Sequence, residues 1–414
     1  MNYKKNKFKI VYYIFIINIL FDIVTGFLPT GSTLAIIRGI ILYIIIMSVL
    51  WQHRHEKFPN YTILFLFFYL FILTFFSSDR FISQKIFAQV MLSIFMYPVG
   101  YYLVKNITIL EKFNKTIIVV AIIIVINTFV STLLGYGFKY GQNQFIETGN
   151  LAGHALLTIV YVTLILLFVL RTSNSRVKNL FLSIVFISLI FISILSLIRT
   201  IISSLMIGGI IFYYYDSNKT RFLKYLPLLF IVVVFFSVTI GGPLISFLES
   251  QFSVRKKSYE TSIITKELRY EETLIVWGKA LSFSDWEISL FGRELFNSMG
   301  KYANWTYGNR QLHVDYNNIL FGSGFIGLLI YLLMYFSFYK KFKYYEKKLL
   351  TNLSNPYFNS IRGMFYAFLF LSLWISFSGQ MYGITFRSIN FFYLGAFTSL
   401  LKDFSMKYLS QDNN

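Results

Sequence analysis

Apolar runs recur from one end of this chain to the other, each near the roughly 17–25 residues that a helix needs to cross a bilayer. That recurrence leaves few folds open. Inside a membrane every backbone amide must find its partner within the protein, so a long apolar run reads as a helix. The runs lie at about 8–28, 33–51, 60–76, 85–104, 116–135, 150–170, 179–197, 200–215, 223–245, 316–338, 361–379 and 385–402. The first is too long for the apolar part of a secretory signal and has no small-residue cleavage site after it, so it counts as a span. The expected fold class is all-α: a polytopic membrane protein of about twelve transmembrane helices.

Lysine and arginine set the orientation, because cytoplasmic links carry the positive charge. The N-terminal MNYKKNKFK is basic, and so are WQHRHEK, KNITILEKFNK, RTSNSRVKN, YDSNKTRFLK and KKFKYYEKK. The intervening links, such as LPTGST and GQMYGITFR, hold few positive charges. The alternation is unbroken, which places both termini in the cytoplasm. The net charge of +20 is then a topology signal and points to no nucleic-acid partner. The absence of cysteine excludes disulfides, thiolate metal sites and cysteine nucleophiles. No phosphate-binding glycine loop and no serine-hydrolase elbow is present.

One polar segment interrupts the pattern, from about Ser246 to Asp315, and it falls on the outer side. It holds half of the chain's 18 acidic residues together with a matching number of basic ones. A balanced, aromatic-containing segment of this kind can fold. The chain therefore divides into 1–245 with nine spans, 246–315 as a large extracytoplasmic loop containing short helices, and 316–414 with three spans and a cytoplasmic tail, all one membrane domain. Within the loop, Leu268 to Ser282 has helical periodicity. Tyr270, Leu274, Trp277 and Leu281 form one apolar stripe, expected to lie on the membrane surface or on the tops of the spans. Arg269, Glu272 and Lys279 fall off that stripe. Residues 286–305 read as irregular.

Charges inside spans are functional candidates by default. Asp22 and Arg38 stand equally far from the turn near Thr30, so they should meet at similar depth. They are either a structural ion pair or a pair in which Arg38 is shared with an anionic ligand. Arg199 stands in LIRT, where two spans meet at the outer face. Arg80 and Arg387 also fall at outer span ends, and Arg269 and Arg293 lie in the loop. Five outer guanidiniums run against the positive-inside bias, and arginine is the side chain best shaped for bidentate phosphate contact. Among the four histidines, His53 and His55 lie in a cytoplasmic link, and His154 lies just inside the sixth span. His313 stands outside at the mouth of a span, beside Asp315 and Asn317 and ahead of Gly322, Ser323, Gly324 and Gly327. An imidazole there could serve as a general base near neutral pH. His313 and Asp315 are too few to hold a metal ion.

The stretch HVDYNNILFGSGFIGLLIY resembles the histidine motif of the O-antigen polymerase (Wzy-type) and O-antigen ligase (WaaL-type) superfamily of bacterial membrane glycosyltransferases. His313 and Gly324 match its histidine-to-glycine spacing. LIRT resembles the Ser-Arg-Thr span motif, with Ile198 at the serine position. RYEETLIVWGKAL followed by LFGRELF resembles the arginine-bearing loop helix and the glycine segment after it, and GNLAGH resembles the polar approach to the middle span. Eleven residues after Arg269 stands Ala280 where the family pattern has glycine, and Arg199 and Arg255 compete with Arg269 for the arginine role. The resemblance implies a GT-C-like, metal-independent transferase of the bacterial inner membrane that needs no cofactor. Its donor and acceptor would be oligosaccharides on undecaprenyl diphosphate, with a chain-length regulator and a flippase as further partners. It also implies roles for residues. His313 would assist the acceptor hydroxyl, with Arg269 beside it in catalysis. Arg199, Arg269, Arg293, Arg387 and Arg80 would hold the diphosphate. Asp315, Asn317, Gly324, Arg38 and His154 would support them. A repeat-unit polymerase is the first expectation and a ligase that moves finished glycan to a lipid A core or another acceptor the second. The third, from a different class, is a flippase or transporter, which would need coupling-type polar residues near the midplane and broken helices.

Overall fold

The computed structural model describes residues 9–27, 31–135, 151, 153–173, 175–196, 198–215, 268–306, 310–349, 356–377 and 381–412. The expected ninth span, loop residues 246–267 with Arg255, and the side chain of His154 lie outside this set. Every regular element among the described residues is helical. After a one-turn helix at Lys9–Tyr12 come α1 (Ile14–Phe27), α2 (Gly31–Gln52), α3 (Tyr61–Thr74), α4 (Arg80–Ile94), α5 (Met96–Leu103) and α6 (Ile107–Leu134). A 3-10 turn at Gly153–Leu157 leads into α7 (Thr158–Thr172), followed by α8 (Arg176–Leu195) and α9 (Arg199–Tyr215). The loop supplies α10 (Leu268–Ser282) and α11 (Trp286–Phe291). The chain ends in α12 (Asp315–Leu349), α13 (Pro356–Ile375) and α14 (Ile384–Asp412). Each expected span other than the ninth falls on one of these helices. Seven helical segments among the described residues, counting α4 with α5 as one and α7 with the 3-10 turn before it as another, are long and apolar enough to cross a membrane.

Short polar side chains in the links start the helices. Asn60, Asp79, Asn106, Ser175 and Asp285 each accept a backbone N–H of the first turn, satisfying a donor that the helix itself leaves open. The apolar composition of each helix follows its place in the bundle. The strongly apolar helices α2, α6 and α8 keep much of their surface outward, as a lipid-facing helix must. The polar helix α14, with Thr385, Arg387, Ser388, Asn390 and Thr398, is buried along almost its whole length to Leu401. It packs against α1, α4, α5, α7, α12 and α13, so its polar groups meet protein rather than lipid. Gly100 on α5 and Gly395 on α14 allow that packing. A Cβ on either would lie 2.0 Å from a backbone oxygen of the other helix, so the two backbones touch as small residues permit.

The loop helix α10 has the expected bounds, and the structure fixes which face it turns inward. Glu272, Val276 and Ala280 are buried against the protein, while Tyr270, Leu274 and Leu281 of the apolar stripe point outward. Trp277 alone of that stripe turns in, placing its ring against Phe325 of α12. The stripe thus does not rest on the span tops, and a carboxylate occupies the inner face instead.

Candidate functional site

Two ion pairs meet at the start of α14. Arg38 pairs with Asp22, and the Thr385 hydroxyl donates to the other oxygen of the same carboxylate. Two residues further on, Arg387 pairs with Asp315, the first residue of α12. Asp315 and Arg387 are both buried, among the hydroxyls of Tyr161, Tyr331 and Tyr335. The Tyr331 hydroxyl stands 3.2 Å from Ser376, and the Asp315 backbone N–H donates to the Ser376 carbonyl at 2.9 Å. These bonds tie the start of α12 to the end of α13 and the start of α14. The structure therefore places Arg387 inside the bundle, its guanidinium turned to Asp315 and buried.

His313 lies two residues before Asp315, and its ring faces a different carboxylate, Glu272. Glu272, projecting from the inner face of α10, is buried and receives the Arg310 Nε–H. The Tyr302 hydroxyl donates to the same carboxylate oxygen at 3.4 Å, and His313 Nδ1 lies 3.9 Å from it. Glu272 is only 1% exposed, while Arg310 and His313 are 27% and 29% exposed, so the cluster has one sealed side and one open side. Burial and then the Arg310 charge push the His313 imidazole below its ordinary value, with Glu272 pulling the other way and Arg269 adding to the push. The ring is therefore held neutral at neutral pH, able to accept a proton. Asn317 closes the floor. It accepts from the Trp277 indole at 3.1 Å and donates to Thr273 at 2.8 Å, fastening α10 onto α12.

Below this floor α12 is broken. Gly324 has φ 63° and ψ −169° inside an otherwise helical run. The chain from α11 crosses the break at backbone contact. A Cβ on Gly324 would lie 2.2 Å from the Leu290 carbonyl, and one on Gly292 would lie 2.3 Å from Ser323 N. Groups freed by the break are paired with protein: Arg293 N–H donates to the Phe321 carbonyl at 2.7 Å, and the Tyr69 hydroxyl to the Ser323 carbonyl at 2.8 Å. Broken helices in transporters expose such groups to an ion or substrate. Here the loop fills the gap. All five non-glycine residues with positive φ among those described, Phe283, Glu294, Phe296, Asn304 and Trp305, lie in the same crossing segment, a concentration of backbone strain beside the candidate site.

The remaining arginines are exposed and separate into places. Arg269 opens the outer face of α10 near His313. Arg80 and Arg293 flank one polar node, in which Glu294 accepts from Ser77, Ser78 and Asn297 and pairs with Lys301 at 3.0 Å. Burial alone would raise the Glu294 carboxyl, but the bonds from Lys301 and Ser78 outweigh it and bring it down to about 2. Arg199 begins α9. One turn inside it, Ser203 accepts from the Trp374 indole at 3.2 Å, which sets the start of α9 beside the end of α13 where Asp315 is tied. Glu272 and Arg310 were not singled out in the sequence. Their signal was present in the helical offset of Glu272 from Arg269 and in the position of Arg310 just before His313. Among the described residues no group of three or more His, Asp or Glu side chains could hold a metal ion.

No protein-family model matches the chain, and no curated protein matches it. The chemistry must be argued from the geometry. A neutral imidazole, a buried carboxylate beside it and two partly or fully exposed guanidiniums form a polar cluster at the start of α12. Such a set can take a proton from a hydroxyl and stabilise negative charge developing nearby.

Proposed function

We propose that the protein is a glycosyltransferase of the bacterial cytoplasmic membrane that polymerises polysaccharide repeat units. It has twelve spans, cytoplasmic termini and a GT-C-like arrangement, and it acts on undecaprenyl-diphosphate-linked oligosaccharides at the outer face. The observation that carries the reading is the neutral, partly exposed His313 between Arg269 and the Arg310–Glu272 pair, at the outer mouth of α12. The acceptor hydroxyl gives its proton to His313 as its oxygen bonds to the anomeric carbon of the donor sugar. The bond from that carbon to the diphosphate oxygen breaks, and the electron pair leaves with the diphosphate. Arg269 and Arg199 face the charge that builds there, which is where positive charge lowers the barrier most. No cofactor takes part.

The test is product-length analysis with purified protein and lipid-linked repeat units. Wild type should build a ladder, and His313→Ala should lose roughly 10²–10⁴-fold in rate, the usual worth of general-base assistance, with normal protein level and melting temperature. A wild-type ladder from His313→Ala would end the reading. Orientation has its own check, since the chain lacks native cysteine. A cysteine at Ser284 should react with an impermeant reagent in spheroplasts, and one at Tyr344 should not.

A further inference from the structure

The Glu272–Arg310 pair sits where His313 needs a partner, and none of the residues read from the sequence supplies one. Asp315, nearest in sequence, is committed to Arg387. Asn317 is committed to Trp277 and Thr273. His313 Nδ1 is buried and has no hydrogen-bond partner among the described residues, whereas the side chain as a whole is 29% exposed, so the exposure falls on its other atoms. Two acceptors face the ring: Glu272 Oε1 at 3.9 Å from Nδ1, and the Gln311 backbone carbonyl. The Arg310 Nε–H and the Tyr302 hydroxyl fix that Glu272 oxygen in place, and the Lys279 ammonium donates to the Tyr302 carbonyl at 2.9 Å, holding Tyr302 against α10. The second Glu272 oxygen, Oε2, is buried with no hydrogen-bond partner among the described residues. A buried carboxylate needs a strong reason to sit where it does.

We propose that Glu272 is a positioning residue for His313. The carboxylate, clamped by Arg310, holds the proton of the neutral ring on Nδ1 and leaves Nε2 unprotonated toward the open side. Arg310 has a second part in the same device. Its charge opposes protonation of the ring while Glu272 favours it, so the pair sets His313 between two opposing fields. The other charged group facing the ring, Arg269, comes from the outer face of α10. As a matter of chemistry this is an imidazole whose tautomer is decided by the field of a carboxylate 3.9 Å from its far nitrogen. Its role in transfer rests on the glycosyltransferase reading; its effect on the ring does not.

The experiment is nitrogen-15 NMR of the full-length protein labelled at histidine, with the His313 signals identified by their loss in His313→Gln. Wild type should show a neutral ring protonated on Nδ1, titrating below the ordinary histidine value. Glu272→Gln should lower the midpoint further, by about one pH unit, and shift the proton toward Nε2. Arg310→Met should move the midpoint up. A merely structural role predicts no such pair of opposite shifts. Unchanged titration and tautomer in folded Glu272→Gln would overturn the proposal, and so would a fall in the midpoint in Arg310→Met, which serves alone if Glu272→Gln does not fold. Polymer assays on the same preparations separate the two readings. Absence of polymer from wild type, with the NMR shifts as expected, sinks only the transferase assignment. Active wild type with an unmoved His313 in Glu272→Gln sinks only the role of Glu272.

Discussion

Asp315 and Glu272 each hold an arginine, but in regions that differ in what surrounds the pair. Asp315–Arg387 lies inside the bundle, closed on every side by α12, α13 and α14 and ringed by tyrosines. Glu272–Arg310 lies between α10 and the start of α12, with the carboxylate sealed and the arginine partly open. A charge pair closed on both sides can only join helices. A pair closed on one side presents its open charge to whatever arrives from outside. The residues Arg310, His313 and Asp315 show how sharply this changes, since two residues of chain separate the imidazole of the open cluster from the carboxylate of the closed one.

The comparison breaks most directly at the closed pair. Removing one partner of a buried ion pair leaves an uncompensated charge and costs about 3–5 kcal/mol. Arg387→Met should therefore lower protein level and melting temperature severely, and Asp315→Asn combined with Arg387→Met should restore most of both. Normal melting of the single variant would remove the distinction between a structural and an open pair. The next effect belongs to the break that lets the loop dock. Gly324→Ala places a Cβ against the Leu290 carbonyl at a φ that side chains avoid, and such backbone strain costs about 1–3 kcal/mol. Partial proteolysis should then release the loop while the bundle stays protected. Coordinated loss of loop and bundle would show that they are not separable.

Smaller effects sharpen the open side. Arg199→Lys and Arg269→Lys keep the charge but lose the planar fork, and each should cost about 10-fold in polymer formation with melting unchanged. Full activity in both would take them out of the site. The smallest effect concerns the pH dependence of the loop. The Glu294 carboxyl is held at about 2, below the ordinary value of 4.5, so the unfolded chain binds its proton first as pH falls. Its stabilisation is complete above about 4.5 and disappears as pH drops toward 2. Wild type and Glu294→Gln should thus differ in melting temperature at pH 7, differ less at pH 3 and converge near pH 2. A constant gap would mean that Glu294 does not titrate with the loop.

Much of the architecture was legible in the residues. Run length gave helices, because lipid forbids unpaired backbone, and the helix Leu268–Ser282 followed from periodicity. Its buried face did not. Tyr270, Leu274 and Leu281 look inward to any reading based on hydrophobicity in water, but beside a membrane the outside is also apolar, and periodicity cannot tell lipid from core. The span expected at 385–402 falls on α14, but its burial was not legible, because its polar residues meet protein and not lipid.

The sequence by itself determined that the chain is built of long apolar helices, that charge alternates across its links, and that His313 stands at the end of a loop before a span. These are local properties, fixed by composition and spacing within a few turns. Only the tertiary structure decided that Asp315 turns away from His313 to Arg387, that Glu272 takes its place, and that Gly292 and Gly324 meet across a broken helix. Those choices depend on which groups more than forty residues apart arrive at the same point, as Asp315 and Arg387 do. They also depend on which charges the packing seals from water, and the energy of a charge pair is set by that surrounding medium and not by the neighbouring sequence.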